Sequence, residues 1–142
     1  MQIKFTINDF EVRKRLTALA AQGHSLRPLM QDIGEEVRRI VEKNFEAGGR
    51  PERWKPSARS KRDGGKPLTD KGTLRRSMTV DADSKSVRVG TNVIYAGIHQ
   101  FGGKAGRGRK VNIPARPFLV ISDADQSRIE KIAEDYLGEI IK

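Results

Sequence analysis

No cysteine occurs among the 142 residues of this chain, so a disulfide framework and a thiolate-based zinc site are both excluded. Histidine is scarce too: His24 and His99 are the only two, far apart in sequence and without metal-ligand spacing. Aromatic residues make up 6% of the chain, with one tryptophan. No apolar run approaches the roughly 18 residues that would suggest a membrane span, so no membrane partner is expected. The opening MQIKFTINDFEVRKRL lacks the apolar stretch and small-residue cleavage site of a secretory signal. The expectation is a soluble cytoplasmic product. Neither the Walker spacing nor the GxGxxG dinucleotide pattern is present.

What the chain has in excess is positive charge. Its formal net charge is +10, more than solubility requires at this size, and points to an anionic partner. The excess is concentrated. Residues 48–76 hold ten Lys/Arg against three Asp/Glu, and residues 104–116 hold five against none. The remainder is therefore slightly acidic. At this length one domain over 1–142 is the simplest organisation.

Hydrophobic periodicity organises the chain. Gln2–Ile7 alternates and reads as a half-buried strand, followed by Asn8 or Asp9 as the cap of a short helix that Gly23 ends. Leu29, Ile33, Val37, Ile40, Val41 and Phe45 recur at three- and four-residue steps, which predicts one long helix with a single buried stripe. Ser25 is its candidate cap. Glu35 and Glu36 are placed to pair with Arg39, and Gly48–Gly49 terminate the helix.

Residues 48–72, rich in glycine, proline and cations, read as a flexible basic loop, with Thr73–Ser77 a turn or helix start. Met78–Asp81 and Val87–Val89 read as hairpin strands. Val93–Phe101 is ambiguous between strand and helix, and residues 102–110 form a second basic loop. Two prolines make Val111–Leu119 an edge or irregular strand. A last helix is signalled by the Ser122/Asp125 capping box and the stripe Ile129, Ile132, Ala133, Tyr136, Leu137 and Ile140. The fold class is α+β: a central, mostly antiparallel sheet packed by an N-terminal helical pair and a C-terminal helix.

No constellation here supports catalysis, and enzyme is the weaker class. His99 sits in a glycine-aromatic block without a serine or acid at diagnostic spacing, and reads as a packing or hydrogen-bonding residue. Asp63 and Asp70 lie in a cationic loop that opposes a metal ion. No catalytic, cofactor or metal residue is assigned. Candidate contacts to a partner protein or to the DNA backbone are Arg50, Arg53, Trp54, Lys55, Arg59, Lys61, Arg62, Arg75, Arg76, Lys104, Arg107, Arg109 and Lys110. Trp54 either stacks on a base or, the stronger reading, anchors its loop.

Four pieces occur in order: WKPS at Trp54–Ser57, LTDKGTLRRS at Leu68–Ser77, GTNVIYAGIHQFGG at Gly90–Gly103 and IPARPFL at Ile113–Leu119. In these the chain resembles the phage virion morphogenesis proteins of the Mu-like G and tail-completion group, over roughly Leu29–Glu139. The resemblance implies a structural role in tail completion, as a terminator, or in head–tail joining. It implies a homo-oligomer, a hexameric ring among the options, whose partners are tail-tube or head-connector proteins. Assembly would take place in the bacterial host cytoplasm, with incorporation into the virion. Leu74, Arg75 and Ser77 match the family's LRxS element, and Tyr95, Ala96, Phe101 and Gly102 its YAxxxxFG element. Pro114, Ala115, Arg116, Pro117, Phe118 and Leu119 match PARPFL. These and Gly90 are expected to be structural, with Tyr95, Phe101, Phe118 and Leu119 packing the sheet on the helices. Related connectors often have an acid before FG, where this chain has Gln100. The competing reading is a small basic nucleic-acid-binding or DNA-packaging accessory protein.

Overall fold

A computed structural model of the chain describes residues 1–2, 7 and 9–141. The elements in order are α1 (Phe10–Ala21), α2 (Arg27–Ala47), α3 (Ala58–Asp63), α4 (Thr73–Arg76), β1 (Thr79–Ala82), β2 (Val87–Gly90), α5 (Ala96–Phe101), β3 (Gly103–Ala105), β4 (Val111–Ile113) and α6 (Asp123–Ile141). The fold is α+β, with helices at both ends and antiparallel strands between. Among the described residues the strands form two two-stranded pieces, β1–β2 and β3–β4. The expected strand at Gln2–Ile7 falls mostly outside the described residues, as does the cap candidate Asn8. Gln2 itself bridges Gly90.

Contacts divide the chain into two units. One comprises Ile3–Ile40, Thr79–Val89 and Ile121–Lys142. Its core collects Val12 and Leu16 of α1, Leu29, Ile33, Val37 and Ile40 of α2, Ala82 and Val89 of the hairpin, and Ile129, Ala133 and Leu137 of α6. Each large aliphatic side chain buried there contributes on the order of 2 kcal/mol of transfer free energy. Gly34 lets the hairpin approach α2: a Cβ on it would run into the side chains of Val80 and Val87. Asp83 Oδ1 closes the hairpin turn, accepting from the backbone N–H of Lys85 and of Ser86, both at 2.7 Å. Those two donors, then the Ser86 hydroxyl, hold its carboxyl below the ordinary value.

The capping chemistry is as expected. Asp9 accepts from Val12 N–H at the start of α1, and Ser25 from Arg27 N–H ahead of α2. Ser122 and Asp125 form the reciprocal box on α6, at 3.2 Å each way. One pairing differs: Glu35 binds Arg38 at 2.8 Å, leaving Arg39 to Glu36 at 2.9 Å. Both are three-residue steps, neighbours on the same helix face.

The other unit comprises Met1–Gln2, Val41–Met78 and Gly90–Val120. Phe45 anchors it, edge-on to Trp54 with ring centroids 5.6 Å apart and tilted against Phe118 at 5.5 Å. Two expectations change here. Residues 48–72 carry α3, capped by a reciprocal Ser57/Ser60 box, where a loop was expected. The stretch 102–110 is half hairpin: β3 pairs antiparallel with β4, Gly103 opposite Ile113, and a 3-10 turn at Arg107–Arg109 forms the tip. Both elements are too short to show a hydrophobic period, so composition concealed them. Val93–Phe101 resolves as a turn followed by α5.

Candidate assembly surface

Asn44 lies in register with the apolar stripe of α2, yet is fully buried. Its side-chain amide donates to the carbonyls of Phe118 (2.8 Å) and Val120 (3.2 Å), and its oxygen accepts from Arg50 Nη1 at 3.0 Å. One buried polar side chain thus ties α2 to the PARPFL run. A polar residue where the period calls for an apolar one was the available signal, and the sequence reading passed over it.

Three more bonds fix the same run. Trp54 Nε1 donates to Pro117 O at 2.9 Å. Gln100 Oε1 accepts from both Phe118 N and Leu119 N at 3.0 Å, while its Nε2 donates to Leu119 O at 3.0 Å. Gln100 therefore uses its donor and acceptor ends at once, which an acid at this position could not do when ionised. Trp54, only 7% exposed, is the anchor of its loop, and burial removes it from the set of base-stacking candidates.

The motif residues separate into two groups. Leu74, Ala96, Arg116, Phe118 and Leu119 are buried. Ser77 Oγ bonds Leu74 O at 2.6 Å and shares a hydrogen bond with Thr91 Oγ1 at 2.7 Å. Gly90 is buried where a Cβ would collide with the Met1 carbonyl. Gly102 has φ +73° with the Ile113 and Ala115 backbone pressed against it, a place only glycine fills without strain. Pro114 is half-buried and Pro117 exposed. Tyr95 and Phe101 depart from expectation: they are 45% and 74% exposed, and Ile94 beside them is fully exposed. They lie at the two ends of the short α5, outside the core.

The cations also separate into two groups. Arg53, Lys55, Lys61, Arg76, Lys104, Arg107, Arg109 and Lys110 are exposed, and none of these makes an ion pair among the described residues. Arg62 pairs with Asp63 at 3.1 Å. Arg59 donates to Lys66 O at 2.7 Å. Arg75 is held by Glu42 and by Glu46, the latter at 3.3 Å; its hydrogen bond to Glu42 raises its pKa further. The β3–β4 tip therefore concentrates four unpaired cations, Lys104, Arg107, Arg109 and Lys110.

A cavity of about 470 Å³ opens beside α3 and α5, walled in part by Arg59, Asp70, Lys71, Tyr95, His99 and Arg116. Arg116 Nε donates to Lys55 O at 2.8 Å and Nη2 to Pro56 O at 3.4 Å. His99 Nδ1 is buried without a hydrogen-bond partner. Burial, and secondarily the charge of Arg116, hold its imidazole below the ordinary value. Among the described residues no group of three or more His, Asp or Glu is placed to hold a metal ion, and no helix is long and apolar enough to cross a membrane.

The family model described as the phage virion morphogenesis family matches residues 7–138. A relative in Haemophilus influenzae, named Mu-like prophage FluMu G protein 2, is 44% identical over 141 residues, covering 99% of both chains. An uncharacterized protein of Methanocaldococcus jannaschii is 31% identical over 122 residues, covering 77% of this chain and 82% of its own. Protein G of Escherichia phage Mu, whose name assigns it provisionally to capsid assembly, is 36% identical over 66 residues, covering 46% of this chain and 42% of its own. No solved structure matches the chain.

Proposed function

Because the chain belongs to the phage virion morphogenesis family and its role is structural, we propose that it completes or terminates the tail at the head–tail interface. Its family role implies contact with other phage structural proteins. In this reading the whole chain acts as one subunit of a homo-oligomeric ring, hexameric by family resemblance, which meets tail-tube or head-connector proteins. It assembles in the host cytoplasm and remains in the virion.

The carrying observation is the exposed apolar group Ile94, Tyr95 and Phe101 in a chain otherwise rich in surface charge. Side chains of this size left in water are typical of surfaces that a protein partner covers. Any residue of 48–72 or 102–110 outside α3 and the β3–β4 hairpin that is fixed as neighbours join loses backbone freedom at about 1–2 kcal/mol, which contacts in the assembly must offset. Light scattering with particle imaging of the purified protein tests the reading. A closed ring is expected, with residues 48–72 cut by protease more slowly in the ring than in the free subunit. A strict monomer that binds neither tail nor head proteins would refute it.

The four unpaired cations at the β3–β4 tip favour a second reading, contact with the DNA backbone in a packaging accessory. Such binding would weaken steeply with salt and show no sequence preference.

A further inference from the structure

The cavity beside α3 and α5 holds a charge with no counter-charge. Arg116 is only 6% exposed, yet its guanidinium meets two neutral carbonyls and no carboxylate among the described residues. Arg59 and Lys71 add positive charge to the walls, and Asp70 is the one acid there, without an ion pair to any of them. His99 contributes a buried nitrogen with nothing bonded to it. Burying a cation without its anion is costly, and an orphaned ring nitrogen adds to that cost. The first cost is relieved by the entry of an anion, and His99, on the wall of the same cavity, is placed to register that entry.

We propose that this cavity is a carboxylate-binding site, filled by an acidic side chain from α6 of a second copy of this chain. A carboxylate on a methylene stem can reach a guanidinium so deeply set; the phosphates of a duplex, held on a stiff wide backbone, cannot. The rim agrees. Tyr95, on the cavity wall, is 45% exposed, and Ile94 precedes it in sequence fully exposed, as suits a protein neighbour. The second copy is chosen by charge: α6 carries six Asp/Glu against two Lys/Arg in a chain of net charge +10. Of these, Glu134 and Glu139 are exposed and make no ion pair among the described residues. The two surfaces differ, so the contact can be made head-to-tail, as a closed ring requires. The inference thus rests on the homo-oligomer reading above.

The test follows the imidazole resonances of the full-length protein by NMR at low salt as protein concentration rises, alongside sedimentation. His24, exposed and remote in sequence, is the reference. The expected result is that His99 shifts along the association curve while His24 does not. Lys71→Glu, and separately the double variant Glu134→Lys/Glu139→Lys, should each weaken association by about tenfold or more. An equimolar mixture of the two should recover pairwise association and not the closed ring. Only the contact between the unaltered cavity of the double variant and the unaltered α6 of Lys71→Glu then joins opposite charges. Association with a motionless His99, and a Lys71→Glu variant that assembles like the parent, would overturn the site and leave the ring standing. A protein that stays monomeric while its His99 responds to sodium acetate would overturn the second copy and the ring together. A His99 that responds to a short DNA duplex and not to acetate would replace carboxylate with phosphate.

Discussion

Trp54 shows how one side chain holds an irregular segment in place. Its ring packs on Phe45, its indole N–H reaches Pro117 O, and its backbone N–H reaches Gly48 O at 2.8 Å. Trp54→Ala should lower stability by about 3–5 kcal/mol, measured by urea unfolding. Trp54→Phe, which keeps the ring and loses the indole donor, should cost about 1–3 kcal/mol. If the alanine variant were as stable as the parent, the anchoring role would be wrong. Gln100 acts in the same way on the other side of the PARPFL run. Removing it in Gln100→Ala leaves Phe118 N and Leu119 N without acceptors, with an expected loss of about 1–3 kcal/mol per unsatisfied buried group in the same assay. A change under half a kcal/mol would mean that water replaces the amide.

At the scale of elements, opposing effects can be weighed at Gly34. Alanine inside a helix is favoured over glycine by about 1 kcal/mol, so on propensity alone Gly34→Ala would stabilise α2. Its Cβ, however, would meet Val87 Cγ2 at 2.7 Å and press still closer on Val80, and the hairpin would have to move. Overpacking costs about 1–3 kcal/mol, so a net loss is expected, seen as a lower melting temperature by circular dichroism. A raised melting temperature would show that β1–β2 yields freely. On α6 the Ser122/Asp125 box predicts a loss of about 1 kcal/mol for Ser122→Ala. Thermal unfolding would register this, and an unchanged midpoint would mean that the cap is dispensable.

Over the whole molecule, pH should act through His99. Its folded-state pKa lies below the ordinary 6.5, so the unfolded chain takes up the proton first as acid is added. The contribution of the neutral imidazole is thus complete above about pH 6.5 and is lost as pH falls from there toward the folded value. Urea midpoints should drop between about pH 7.5 and pH 5 by more in the parent than in His99→Gln, which has no ring to protonate. Equal slopes in the two proteins would exclude the effect. Charge also acts at this scale. A net +10 with unpaired cations at the β3–β4 tip repels identical copies at low salt unless acidic surfaces, such as that of α6, face them.

By itself the sequence determined whatever rests on period, caps and composition. The long stripe of α2, the Asp9 and Ser25 caps, the Ser122/Asp125 box, the β1–β2 hairpin and the α+β class all follow from local chemistry repeated over enough residues to be counted. Ordered motif pieces across most of the chain also carried the family. Tertiary structure decided what depends on residues distant in sequence. Asn44, Trp54 and Gln100 converge on the PARPFL run from three separate segments, and no spacing rule links them. α3 and the β3–β4 hairpin are shorter than any period that would reveal them. Exposure of Tyr95 and Phe101 could not be read from their type, because an aromatic residue signals burial without saying whether its own chain or a partner supplies it. The cavity was hidden for the same reason: a buried guanidinium without its anion exists only once the chain has folded around it.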